Sequence, residues 1–279
     1  MKPLIFLLFL CSFSVINSQE TELSLMTYNI RLDIDSDGEN AWKHRKDFVI
    51  NQIKFYEPSI FGIQEGLPQQ VNYLNENLSE YSYIGEGRDG ENNGEHSAIF
   101  YNKNLFEVLS SETFWLSTTP TIPSKSWDAA YPRIYTYALF KNKNSRVKFW
   151  VFNTHFDHIG QESRLNAIEM IIEKIQSENT QNYPVFFMGD LNVEPDNEVI
   201  AKLNKYMIDS FDVSIAKPFG PYETFNGFKF QEPPKYRLDY IYVSKSDALE
   251  VLKYAVLSDS KNLKYPSDHF PVFIKVALH

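Results

Sequence analysis

At six places this chain sets a carboxylate, a carboxamide or an imidazole against a run of apolar residues, and these are the side chains that hold hard cations and move protons. Asn29 follows such a run in "LSLMTYNIR" and Glu65 in "SIFGIQEG"; "FWVFNTHFDH" carries Asn153, His155 and then Asp157 and His158. "PVFFMGDLNVEP" delivers Asp190 and Asn192, "YRLDYIYVS" Asp239, and "YPSDHFPV" the adjacent Asp268 and His269. Taken singly, each has an ordinary explanation: a helix-capping acid, an Asp-x-Asn turn, a strand ion pair or a satisfied core histidine. Taken together they form a set of oxygen and imidazole donors without a thiol, which suits Mg²⁺, with Mn²⁺ or Ca²⁺ as alternatives, better than zinc.

Strands must carry these residues to a common place. Runs rich in Val, Ile, Phe and Tyr predict strands over Leu23 to Ile30, Ser59 to Ile63, Ser97 to Tyr101, Ile134 to Phe140, Val147 to Asn153, Val185 to Gly189, Leu238 to Val243 and Phe270 to Val276. Apolar residues three and four apart predict helices over Trp42 to Tyr56 and Ser163 to Ser177. No linker or repeat interrupts the pattern, so it reads as one α/β domain over residues 19–279. Gly189 permits a tight turn that lets Asp190 and Asn192 face one crevice. Leu116 to Arg133, with its prolines and Trp127, reads as an ordered surface loop or lid. "DSDGENAWKHR" lacks the twelfth-position acid of a calcium loop and reads as a loop capping the helix near Trp42.

The first residues, "MKPLIFLLFLCSFSVINSQE", have one positive charge, a short apolar run and small polar residues. They predict a signal peptide over residues 1–18, cleaved after Ser18, and a secreted or periplasmic protein; the apolar run is too short for a transmembrane anchor. Cys11 is the only cysteine and leaves with the leader, which removes disulfide and thiol chemistry. The formal charge of −9 becomes one unit more negative when Lys2 leaves, and no basic cluster offers a groove for long nucleic acid.

The order and spacing of "MTYNIR", "GIQEG", "NTHFDH", "MGDLNVEP", "RLDYIYV" and "SDHFPV" resemble the endonuclease/exonuclease/phosphatase superfamily of metal-dependent phosphoesterases, and the resemblance covers nearly all of the expected mature chain. It implies a deoxyribonuclease I-like, four-layer α/β/β/α sandwich with two mixed sheets face to face and helices outside. It also implies that Asn29 and Glu65 bind the metal, with Asp268 near a second metal position. Asp190 and Asn192 would hold the attacking water and a phosphate oxygen, His155 would contact the phosphate, and Glu95 in "NGEHSAIFY" would orient His155. Asp239 would fix the tautomer of His269. Whether Asp190 or His269 is the base, and whether one metal or two are used, stays open.

Outside that set, Trp127 and Arg133 in "SKSWDAAYPRI" are candidate substrate contacts, against the plainer reading that Trp127 packs the loop and Arg133 pairs with an acid. The implied reaction is hydrolysis of a phosphodiester or phosphomonoester on a nucleotide, nucleic acid, phosphorylated glycan or lipid headgroup, by a chain expected to be monomeric. "YRLD" stands where inositol 5-phosphatases carry a tryptophan-cysteine-aspartate-arginine signature. A nuclease must contend with the acidic charge, and a sphingomyelinase lacks an obvious membrane-inserting aromatic hairpin. An inactive binding protein on the same scaffold would have lost ligands that here all stand.

Overall fold

The computed structural model describes residues 21–279; the leader expected over residues 1–18 lies outside the described residues. The chain runs through β1 (Thr21–Asn29), α1 (Trp42–Tyr56), β2 (Ile60–Gln64), α2 (Pro68–Asn77), β3 (Tyr81–Ile84), β4 (Ile99–Asn102), β5 (Phe106–Trp115) and β6 (Ile134–Asn142). It continues with β7 (Lys148–His155), α3 (Gln161–Glu178), β8 (Val185–Asp190), α4 (Glu198–Leu203), β9 (Met207–Asp209), β10 (Asp239–Ser244), β11 (Leu249–Val256) and β12 (Val272–Leu278).

Two six-stranded mixed sheets result, in the orders β11-β12-β1-β2-β4-β3 and β5-β6-β7-β8-β10-β9. Their facing sides share one core in which Leu25, Ile60 and Ile274 of the first sheet join Phe140, Phe149, Val151 and Phe186 of the second. The outer face of the first sheet buries Tyr28, Phe61 and Ile63 beneath Val49, Ile53, Val71 and Leu74 of α1 and α2. That of the second covers Phe152, Phe187 and Tyr242 with Ile168, Ile171, Val199 and Leu203 of α3 and α4. Strands apolar on both faces are thereby buried on both faces, and the four-layer sandwich is realised.

A polar stitch joins the sheets. The Asn153 carboxamide crosses the core, donating to the Ile63 and Ala98 carbonyls at 2.9 and 3.0 Å and accepting from Gln64 Nε2 at 2.7 Å. A Cβ on Gly62 would lie 2.5 Å from that side chain, so the crossing depends on glycine there. Asn153, one of the strand-end residues, therefore holds the sandwich together and takes no part in chemistry.

The expected surface loop from Leu116 to Arg133 contains no regular element and is pinned at its far end. Asp157 accepts the N–H groups of Ala130 and Tyr131, and Asp128 accepts those of Glu162 and Ser163 at the start of α3. The Asp35 region differs from expectation: Asp35–Asn40 forms a short 3-10 helix, and α1 begins without a side-chain cap. Asp37 instead binds the Arg31 guanidinium at 3.0 Å through both carboxylate oxygens.

Candidate active site

The six motifs meet at one edge of the sandwich because both sheets are mixed. Parallel pairing brings the ends of β1 and β2 together, and likewise those of β7 and β8, where His155 lies opposite Asp190. Antiparallel pairing brings the start of β10 to that edge, setting Asp239 opposite Asp190, and the turn before β12 returns beside the end of β1. Asp239 thus begins its strand and Asp268 and His269 precede theirs, whereas Asn29, His155 and Asp190 end theirs.

Local backbone aims the groups. Gly189, at φ 148°, has the Thr154 carbonyl oxygen 2.1 Å from where a Cβ would sit, so only glycine lets β8 run this close to β7 before Asp190. Glu65 and Asn192 adopt left-handed φ values of 62° and 51°, a conformation costly for glutamate and tolerated by asparagine. Buried Thr224 ties the far side, its Oγ1 accepting from Asp239 N at 3.1 Å and its carbonyl from Phe270 N at 2.7 Å.

The Asn29 Nδ2 group donates to Glu65 Oε1 at 3.0 Å and to Asp190 Oδ2 at 2.9 Å. Its oxygen accepts from Arg31 N at 3.0 Å, so in this state Asn29 braces two carboxylates, and offering oxygen to a cation requires the amide to turn. His269 Nδ1 lies 2.7 Å from Asp239 Oδ2, as expected, and its Nε2 is 3.8 Å from Asp190 Oδ2. His155 Nε2 approaches the same oxygen to 3.5 Å. Asn192 donates its main-chain N–H to Asp190 Oδ1 at 2.9 Å, while its Nδ2 is engaged by the Phe156 carbonyl at 2.9 Å.

Burial sets the protonation states. Asp190, 1% exposed, is pushed up to about 7 by burial and then by the Asp239 charge, against the pull of His269 and two hydrogen bonds. Burial draws His269 down, but Asp239 and Asp190 outweigh it and hold the imidazole well above its ordinary value. His155 moves the opposite way, held neutral by burial and then by the nearby Arg133 cation. Burial also raises the Asp268 carboxyl.

Two expectations fail on geometry. Glu95 does not orient His155: its carboxylate binds Arg88 at 2.8 Å, and His155 Nδ1 is buried without a partner. Trp127 is half-buried in its loop and does not line the cavity over the site. Arg133 does line it, 3.5 Å from Asp157. That cavity, of about 600 Å³, is bounded by Arg31, Arg88, Arg133, Tyr131 and Tyr236 and floored by Asp190, His155 and His269. Of these, Arg31, Arg88, Tyr131 and Tyr236 carried no signal in the sequence.

The donor set fits a hard divalent cation. Glu65, Asp190, Asp239 and Asp268 crowd one edge, and Arg31 reaches Glu65 and Asp268 only at 3.9 and 3.8 Å. Burial first, and then a neighbouring carboxylate, Asp239 for Asp190 and Glu65 for Asp268, raises these two acids. Among the described residues, ligand atoms of Asp190, Asp239 and His269 also lie within 4.8 Å of one another. The 2.7 Å hydrogen bond already occupies Asp239 and His269, which leaves Glu65, Asp268 and a turned Asn29 as the better cation site.

Comparison with known proteins agrees with this geometry. Residues 26–269 match the model of the Endonuclease/Exonuclease/phosphatase family. The mannosyl-6-phosphatase of Bacteroides thetaiotaomicron VPI-5482 is 36% identical, with a TM-score of 0.86 over 91% of this chain and 99% of that one. An endonuclease/exonuclease/phosphatase family protein, also from Bacteroides thetaiotaomicron, is 34% identical, with a TM-score of 0.88 over 94% of this chain and 99% of that one. Among curated relatives, an uncharacterized protein of Acanthamoeba polyphaga mimivirus is 32% identical over 161 residues, and the match takes in 55% of this chain and about 60% of that protein. With the family model spanning most of its length and the motif residues gathered at one edge, this chain belongs to the endonuclease/exonuclease/phosphatase family.

Proposed function

We propose that this chain is an exported, divalent-cation-dependent hydrolase of a phosphate ester on a small molecule, a phosphorylated sugar or glycan before any other. The observation that carries the reading is that buried Asp239, hydrogen-bonded to His269 from beneath, sets the imidazole beside Asp190 on the floor of a cavity bounded by three arginines. Glu65, Asp268 and Asn29 would hold the cation, which when bound neutralises phosphoryl charge and acidifies water.

Asp190, with its affinity for a proton raised to about 7, accepts the proton of the attacking water. Asp239 fixes the His269 ring so that Nε2 faces the reacting group and donates a hydrogen bond there. His155, neutral in its buried place, acts as a hydrogen-bonding group and not as a store of protons. The water oxygen bonds to phosphorus, the bond from phosphorus to the ester oxygen breaks, and that oxygen takes a proton from solvent at the cavity mouth, giving phosphate, or a phosphate monoester from a diester, and an alcohol.

Three features favour a sugar over a nucleic acid. The formal charge is −9, the cavity is about 600 Å³ with exposed tyrosines at its rim, and the similar Bacteroides protein is a mannosyl-6-phosphatase. The apolar leader supports export. A hydrolysis panel tests the proposal: mannose 6-phosphate, p-nitrophenyl phosphate, bis-p-nitrophenyl phosphate, plasmid DNA and RNA, each with Mg²⁺ and with EDTA. Ester hydrolysis that EDTA abolishes is the expected result. Faster cleavage of DNA or RNA, or activity unaffected by EDTA, overturns it.

A further inference from the structure

Beside the main cavity lies a recess of about 10 Å³, bordered by Arg88, Glu95, Ser97, Arg133 and His155. That is room for about one water-sized atom. Arg88, Glu95, Arg133 and His155 also line the main cavity, so the recess opens off the site where the ester must sit.

Two nitrogens belonging to its walls, Arg88 Nε and His155 Nδ1, are buried without a hydrogen-bond partner, whereas Arg133 Nε faces Asp157 Oδ2 at 3.5 Å. Buried nitrogens are nearly always paired, so two beside one small space call for an acceptor within it. Both guanidinium groups are braced from behind. Arg88 binds Glu95 at 2.8 Å and lies 5.0 Å over the Tyr131 ring, and Arg133 is 3.5 Å from Asp157 with Nη2 3.3 Å from His158 Nδ1. The carboxylates that border the recess are engaged elsewhere, Glu65 with Asn29 and Leu32 N, and Glu95 with Arg88.

We infer that the recess receives one non-bridging oxygen of the substrate's phosphoryl group, with Arg88 and Arg133 as its donors. This rests on the reading of the chain as a phosphoester hydrolase. An oxygen fits the space and an oxygen bearing carbon does not, so the recess fixes the rotation of the phosphoryl group about the scissile bond. A diester must turn its second substituent out toward the cavity mouth, whereas a monoester meets no such restriction. The donors stand still throughout the reaction, the preorganisation that makes such contacts effective in a transition state.

Two variants test this in different ways. Arg88→Gln removes one donor but also releases the Glu95 charge; Ser97→Val fills the recess and leaves both arginines in place. The measurements are kcat/KM on p-nitrophenyl phosphate, the competitive inhibition constant of inorganic phosphate, and the melting temperature of each protein. For each variant we expect kcat/KM to fall about 100-fold, the scale of losing one oxyanion donor, and inhibition by phosphate to weaken, with melting within a few degrees of wild type. Ser97→Val with an inhibition constant and kcat/KM within twofold of wild type overturns the inference, whatever Arg88→Gln does. If Ser97→Val melts early, Ser97→Thr fills the recess with a smaller group and is held to the same twofold criterion. Wild-type protein that hydrolyses none of the panel defeats the underlying reading instead, and the two failures are thereby told apart.

Discussion

Replacing Asp239 by Asn keeps the shape of the side chain and removes its charge, in a place where Asp239 and His269 are 0% and 5% exposed. The bond at issue is the 2.7 Å contact to His269 Nδ1. Hydrogen bonds to a charged group are worth about 1.5–3 kcal/mol, and about 1.4 kcal/mol is a factor of ten, so kcat/KM should fall about 10- to 150-fold. Asp239 Oδ1 has no partner, so an amide N–H2 turned to that side is a buried donor without an acceptor, and melting should drop by a few degrees as well. The pH profile separates the two effects. Against the pull of burial, Asp239 is the foremost group holding His269 above its ordinary value, so the Asn variant should lose activity at lower pH on the alkaline side. The assay is p-nitrophenyl phosphate hydrolysis from pH 5 to 10 with saturating Mg²⁺. A variant within twofold of wild type, with its alkaline limb unmoved, would refute the idea that Asp239 acts through His269.

The buried, neutral His155 has a folded-state pKa below that of the unfolded chain, so only the unfolded chain gains its proton just below about pH 6.5 and stability falls there with a slope of up to about 1.4 kcal/mol per pH unit. His269 has the opposite sign, its contribution being lost as pH rises above about 6.5; His155→Asn should therefore shrink the stability lost between pH 7.5 and 5.5 by about 1 kcal/mol in urea melts. Gly189→Ala should cost about 1–3 kcal/mol or more, because its Cβ meets the Thr154 carbonyl at 2.1 Å, and activity should fall with it as Asp190 shifts; an unchanged melting temperature would contradict the close approach of β7 and β8.

The eight strands read from apolar runs are the interior strands of the two sheets, and the four missed, β3, β5, β9 and β11, are their edges. The reason is solvation. An interior strand here has neighbours on both sides and layers above and below, so its run is nearly continuous, as in "IFGIQ" of β2. β5 reads "FEVLSSETFW", with Glu107 and Ser110 to Glu112 exposed, and β11 alternates exposed Glu250 and Lys253 with buried Val251 and Tyr254. Charged, half-exposed edges of this kind also resist pairing with other chains, so the feature that hid these strands has a use of its own.

The candidate site divides along a similar line. Asn29, Glu65, His155, Asp190, Asp239 and His269 were legible because each is placed by its own strand, and the strands write themselves into local apolar runs. Arg31, Arg88, Tyr131 and Tyr236 come from connections whose course depends on distant contacts, so although Arg31, Tyr131 and Tyr236 lie within the motif stretches, no apolar run points to them. Glu95 shows the cost of carrying a role across by position alone. It stands at the site, but Arg88, brought back by the turn from Gly87 to Glu95, takes its carboxylate, and the histidine it was expected to orient keeps its buried Nδ1 without a hydrogen-bond partner. Strand ends fix which groups can meet, while connecting loops decide what they bind once there. Chemistry common to the family is therefore readable from the strands, and on the function proposed above the choice of substrate would fall to the loop residues Arg88, Tyr131, Arg133 and Tyr236 that line the cavity.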